Sequence, residues 1–205
     1  MAYTNKQTAI KKLKSPRADF SSKNFDNFRN DKEVVMVAIE NNRHSAWWIG
    51  SELLADYDFV KYLLSVDVSI SRKLSEEFLN SKELALIAIE NDADSLEYFA
   101  ETIRNSDDVI NKYLEKIHTN CRSSLNRIGD KYLTNKIFVL RIIEKLEASV
   151  VNEKEANNVN YFMTELTSLL SYELKNDREI ASKIIKLSPS SFHKLSFELR
   201  SDREF

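Results

Sequence analysis

The side chains able to do chemistry are few. Three histidines, His44, His118 and His193, and one cysteine, Cys121, are the soft metal ligands and nucleophiles of a 205-residue chain. His118 and Cys121 stand three residues apart, a spacing compatible with zinc. A structural zinc site takes four such ligands, and no second pair lies near. Cys121 as a nucleophile would need a positioned base and an oxyanion site; His118 is close, but no third residue is identifiable. The competing reading is two polar turn residues. Carboxylates are abundant, yet Glu52, Glu77, Glu173 and Glu198 recur at one position of a repeating pattern. A residue copied along the chain serves the repeat rather than a single active site. The two glycines, Gly50 and Gly129, are isolated, unlike the Gly-rich loop that cradles a phosphate. These residues predict no enzyme, no metal, no cofactor and no small-molecule substrate.

Binding chemistry is better supplied. Residues 1–24 hold Lys6, Lys11, Lys12, Lys14, Arg17 and Lys23 against one acid, Asp19. Lys11, Lys12 and Lys14 are therefore candidates to touch phosphate or an acidic protein patch. Against this stands a solvated capping helix, with Thr4 as its cap and Gln7 as the reciprocal partner. Few aromatics are interleaved with these bases, which argues against sequence-specific reading of nucleic acid. Trp47 and Trp48 are the second candidate. They occupy two columns that other repeats fill mostly with polar residues: Arg72, Glu97, Asn126, Ser168 and His193 in one, Lys73, Tyr98, Arg127, Leu169 and Lys194 in the other. Either the rings cover the first repeat by packing on the N-terminal segment, on Ile10 or Leu13, or at least one is exposed and anchors a partner.

The elements that must carry these residues follow from a repeat. "NDKEVVMVAIEN" from Asn30 returns as "NSKELALIAIEN" from Asn80, and the underlying period is half that distance. Asp31, Asp56, Ser81, Ser106, Asn135, Asp177 and Asp202 serve as anchors, at intervals of 25, 25, 25, 29, 42 and 25. All are residue types that cap a helix start. Apolar residues follow three, seven and eight positions on (Val34, Ala38, Ile39 and their equivalents), one face of a helix. This helix A is predicted over 32–41, 57–66, 82–91, 107–117, 136–148 and 178–187. Before each anchor, Ile49, Leu74, Phe99, Ile128, Leu170 and Leu195 pair with Leu53, Phe78, Ile103, Tyr132, Leu174 and Leu199 four positions later. That spacing predicts a second helix, B, of about ten residues, since i and i+4 share a helical face. Gly50, Ser75, Ala100, Gly129, Ser171 and Ser196 form an all-small column within it, as if another helix approached there. The longer intervals place extra residues around "HTNC" (118–121) and near 147–169, the latter as an extended helix, an added turn of helix or a loop.

Composition agrees with an all-α array of short helix pairs, solenoid-like, with about six repeats. Two Gly and two Pro leave little turn material for sheets. The reading divides the chain into a basic capping segment, 1–27, and a repeat domain, 28–205, irregular near 147–169. Net charge is −2, so there is no global drive toward nucleic acid. A single cysteine, no apolar signal core and no membrane-length apolar run predict a cytoplasmic protein without membrane contact. At "NDKEVVMVAIENN", "NSKELALIAIEND", "NDREI" and "SDREF", with "GSELL", "SEEFL" and "SFELR", the chain resembles a bacterial, viral and protist repeat family of unassigned function. Members repeat segments like "NDREVVLAAVKQNG…ALQYASEEL". The resemblance covers roughly residues 28–146 and 170–205, implies a helical array, and supplies no catalytic residue. The expected function is non-enzymatic protein binding. The alternatives are a small phage or mobile-element inhibitor docking on a host defence nucleoprotein complex, anti-CRISPR-like, and a nucleic-acid-binding helical repeat.

Overall fold

The structure, a computed structural model, describes residues 2–15, 17–116, 125 and 128–205. No strand occurs among them. The α-helices are α1 (Lys6–Leu13), α2 (Lys32–Asn41), α3 (Ser51–Leu54), α4 (Tyr57–Val66), α5 (Glu76–Leu79), α6 (Lys82–Asn91) and α7 (Glu101–Arg104). They continue as α8 (Asp107–Lys116), α9 (Asp130–Leu133), α10 (Lys136–Ser149), α11 (Glu153–Leu169), α12 (Tyr172–Lys175), α13 (Arg178–Leu187) and α14 (Phe197–Ser201). Short 3-10 helices stand between several of them.

Helix A forms where the anchors direct. Asp31, Asp56, Ser81, Asn135 and Asp177 each accept a hydrogen bond from a first-turn backbone N–H of α2, α4, α6, α10 and α13. Each such cap contributes about 1 kcal/mol. The expected core column is buried: Ile39, Ile89, Leu114 and Ile143 are all within 4% exposure. At the N-terminus the cap of α1 is Asn5, which accepts from the Thr8 N–H at 3.1 Å, one residue later than Thr4. Asn5 supplies the required carbonyl oxygen directly.

Helix B is not one helix. Its first part is a six-residue 3-10 helix, seen at Arg43–Trp48, Val68–Lys73, Ala93–Tyr98 and Pro189–Lys194. Its last part is a single α turn: α3, α5, α7, α9, α12 or α14. Between them the backbone is extended at Ile49, Leu74, Phe99, Leu170 and Leu195. The apolar columns are buried as expected, but one member sits at the break and the other on the turn. The small column is likewise no helix–helix crossing. Its backbone N–H leaves the local ladder and bonds the preceding repeat: Gly50 to the Arg29 carbonyl at 2.8 Å, Ala100 to Leu79 at 3.0 Å and Ser196 to Lys175 at 3.1 Å. These residues then start the α turn. Ser75, Ser171 and Ser196 cap it with their own hydroxyls. Gly50 has no side chain to do so, and Asn30 of the preceding repeat accepts from the Glu52 N–H at 3.2 Å instead. A Cβ on Gly50 would stand 1.9 Å from the Asn30 Oδ1. Gly50 is thus small because a neighbour's capping side chain occupies its space.

The chain forms two compact units, residues 1–100 and 101–205. In the first, α1 packs on α2, α4 packs on α6, and successive 3-10 helices touch. Ala9, Ile10 and Leu13 are the buried face of α1. In the second, α10 and α11 both pack on α13. The irregular stretch is helical: α10 runs to Ser149, and α11 replaces the 3-10 helix of its repeat with 17 residues. Asn152 caps α11 through the Glu155 N–H, and the Glu155 carboxylate accepts from the Val151 N–H. Val159, Phe162, Met163 and Leu166 bury its inner face. At the other end, Phe205 packs on Ala181, Leu195 and Leu199.

Candidate functional site

Trp47 and Trp48 close the 3-10 helix Arg43–Trp48. Asn42 starts that helix by accepting from the His44 N–H at 3.1 Å. Ser45 and Ala46 are the buried residues of that helix, and the two indoles remain partly exposed. Trp47 is 39% exposed and Trp48 44%. Ile10 and Leu13 are buried on α1, the helix that packs on α2. The link from the indoles to the N-terminal segment runs through Arg29. Its guanidinium lies 5.3 Å from the centre of the Trp48 ring and 5.8 Å from that of Phe20. It also donates to the carbonyls of Trp48 at 3.0 Å and Ser21 at 3.1 Å, and it pairs with Asp26.

A second cation completes the surface. The Lys73 ammonium lies 5.8 Å from the centre of the Trp47 ring. It donates to the carbonyls of Trp47 at 2.7 Å and Ile49 at 3.3 Å. Burial, and then the positive charge of Arg29, hold it below the ordinary lysine pKa. Arg29, Trp47, Trp48, Ile49 and Lys73 line one shallow depression. Next along the same unit, Arg72 donates to the Tyr98 hydroxyl from Nε at 3.1 Å and Nη2 at 2.7 Å. The result is a shelf of alternating cations and aromatics, in which the Arg29 and Lys73 side chains bond the backbone carbonyls of Trp48 and Trp47.

The lysine candidates lie elsewhere. Lys11, Lys12 and Lys14 are exposed on and just after α1. Lys6 is drawn into ion pairs with Asp31 at 3.0 Å and Glu33 at 2.7 Å. Lys12 lines a separate depression with Tyr3, Arg17, Asp19 and Phe25. Arg29 and Lys73 were not singled out from sequence, although the period held a signal for Lys73. Neighbouring columns of adjacent repeats meet 26 residues apart, one more than the period, as in Lys73–Trp47, Arg72–Tyr98 and Tyr57–Glu83.

Several carboxylates, including Glu198 of the repeated column, bond within the fold. Lys136 pairs with Asp177 at 2.7 Å and Glu179 at 2.9 Å, and Lys61 with Asp58 at 3.1 Å and Glu83 at 3.2 Å. Glu198 accepts from the Tyr172 hydroxyl. His44 Nδ1 stands 3.5 Å from Asp67. His118, Cys121 and the turn around them lie outside the described residues. Among the described residues no three His, Cys, Asp or Glu side chains are grouped to hold a metal. Nor is any helix there long and apolar enough to cross a membrane.

No curated protein and no solved structure matches the chain significantly. Residues 56–104 and 168–200, together less than half of the chain, match the family model of DUF4116, a domain of unknown function, and similarity to that domain is what the comparisons give.

Proposed function

We propose that the protein is a binding module without catalysis of its own, and that the Trp47–Trp48 shelf is where a partner protein docks. The observation that carries this reading is the exposure of two adjacent tryptophans at positions other repeats give to Arg72, Lys73 or Glu97. Exposed indoles on a rigid frame gain contact area at little entropic cost, and tryptophan is enriched among residues that dominate interface energy. Removing solvent from both rings on binding is worth roughly 1–3 kcal/mol each at the usual coefficient for apolar area. Chemical cross-linking followed by affinity purification from the native host tests the reading. A partner captured by the wild-type chain and lost with a folded Trp48→Ala variant, whose melting temperature falls only slightly, supports it. Partners retained in full by a folded Trp48→Ala variant refute it.

A second reading concerns the basic end. Lys11, Lys12 and Lys14 stay exposed while Lys6 is neutralised by two acids. Three exposed ammonium groups on one segment suit contact with phosphates of a nucleic acid or nucleoprotein, the latter including a host defence complex. Such binding would weaken steeply with salt. Gel shifts with RNA and DNA that are unaffected by Lys11→Ala/Lys12→Ala/Lys14→Ala would remove this reading.

A further inference from the structure

We infer that the shelf recognises a carboxylate beside an apolar side chain on an acidic segment of a partner protein. This rests on the shelf being the docking site. Charge comes first. Arg29 already pairs with Asp26 at 2.7 Å, whereas Lys73 donates to backbone carbonyls, of Trp47 and Ile49. Among the described residues no acid pairs with Lys73, so the depression carries about one uncompensated positive charge, which one carboxylate balances.

Donor count comes second. A guanidinium has five N–H groups and an ammonium three. Arg29 directs Nε at Asp26, Nη1 at the Trp48 carbonyl, and Nη2 at the Ser21 carbonyl and Asp26. One N–H of Nη1 is left over, and one of Lys73. Two spare donors suit the two oxygens of a carboxylate; a phosphate monoester, with three terminal oxygens, would remain partly unsatisfied.

Shape comes third. Ile49 and the two indoles line the same depression as the cations, so an apolar side chain next to the acid lies on them. The Lys73 ammonium is already partly desolvated by burial and faces Arg29. A carboxylate placed between the two cations relieves their repulsion without a further large desolvation step.

A random dodecapeptide display library, panned on the full chain and counter-selected on Trp48→Ala, tests the inference. Enriched peptides are expected to place Asp or Glu beside a large apolar residue. A synthetic enriched peptide should lose about tenfold in affinity, about 1.4 kcal/mol, when its acid becomes the amide. The same loss is expected with Lys73→Met, with Lys73→Arg retaining binding. Peptides that bind in a Trp48-dependent way without an acid, or equally well as the amide, overturn the carboxylate while leaving the docking site standing. If no Trp48-dependent peptide emerges, the docking site falls and the inference with it. Tighter Lys73-dependent binding of a short oligothymidylate than of any peptide would overturn it in favour of nucleic acid.

Discussion

Asn30 and Gly50 should behave as one energetic unit. The Asn30 side chain caps the α turn that Gly50 begins, by accepting from the Glu52 N–H at 3.2 Å. Asn30→Ala removes that cap and should cost about 1 kcal/mol, the usual value for a lost cap. For a chain of this length that lowers the melting temperature by about 2–4 °C. Gly50→Ala acts through two opposed terms. Gly50 has φ −74° and ψ 160°, a conformation alanine adopts freely, so reduced freedom of the unfolded chain contributes about 0.4–1 kcal/mol of stability. But the new Cβ stands 1.9 Å from Asn30 Oδ1, so the cap is displaced and about 1 kcal/mol is lost. The net effect in the wild-type background is a small loss or none. In the Asn30→Ala background no side chain is displaced, and the same Gly50→Ala change should stabilise by the full 0.4–1 kcal/mol or so. The coupling between the two sites is thus about 1 kcal/mol, readable in a double-mutant cycle by urea unfolding. Identical effects of Gly50→Ala in both backgrounds would refute the claim that Asn30 is what keeps this position small. Gly50→Ser should be close to neutral, because Ser75, Ser171 and Ser196 already cap the equivalent turns.

Ile89 is fully buried on α6, so Ile89→Ala should cost about 2–5 kcal/mol in chemical denaturation; a loss below about 1 kcal/mol would deny it a place in the core. Both indoles should be quenched by iodide in the free protein, with red-shifted emission. Blue-shifted, shielded emission would contradict the exposed shelf. Trp48→Ala removes an Arg29 stacking contact worth about 0.5–1 kcal/mol at an exposed site, so its melting temperature should fall only slightly. Burial raises the Glu165 pKa, opposed by the charge of Lys194, and Oε2 has no hydrogen-bond partner among the described residues. The folded state therefore holds this proton more tightly than the unfolded chain. The stability Glu165 contributes is present below its unfolded pKa and is lost as pH rises through the higher folded value. Glu165→Gln should accordingly raise the melting temperature at pH 7 more than at pH 4, and the reverse order would refute the burial argument.

Capping is chemistry within four residues, so helix A was legible from one sequence: Asp31, Asp56, Ser81, Asn135 and Asp177 sit where free N–H groups need an acceptor. The buried columns were legible too, since hydrophobic position depends on side-chain type and period. The conformation between those columns was not. Ile49 and Leu53 are four apart in a continuous helix and equally so across a 3-10 end, an extended residue and a new turn, so the spacing cannot distinguish the two. Tertiary hydrogen bonds decide it, because the Gly50, Ala100 and Ser196 N–H groups bond the preceding repeat and leave the local ladder. The candidate site divides in the same way. The tryptophans stood out by violating their column, and the period placed Lys73 within reach of Trp47. Arg29 could not be found that way, since its part depends on the fold of residues 20–29 around Phe20, Ser21 and Asp26. Sequence determines which groups are capped and which are buried; only the packed structure decides which backbone donors turn outward, and so where two indoles and two cations meet.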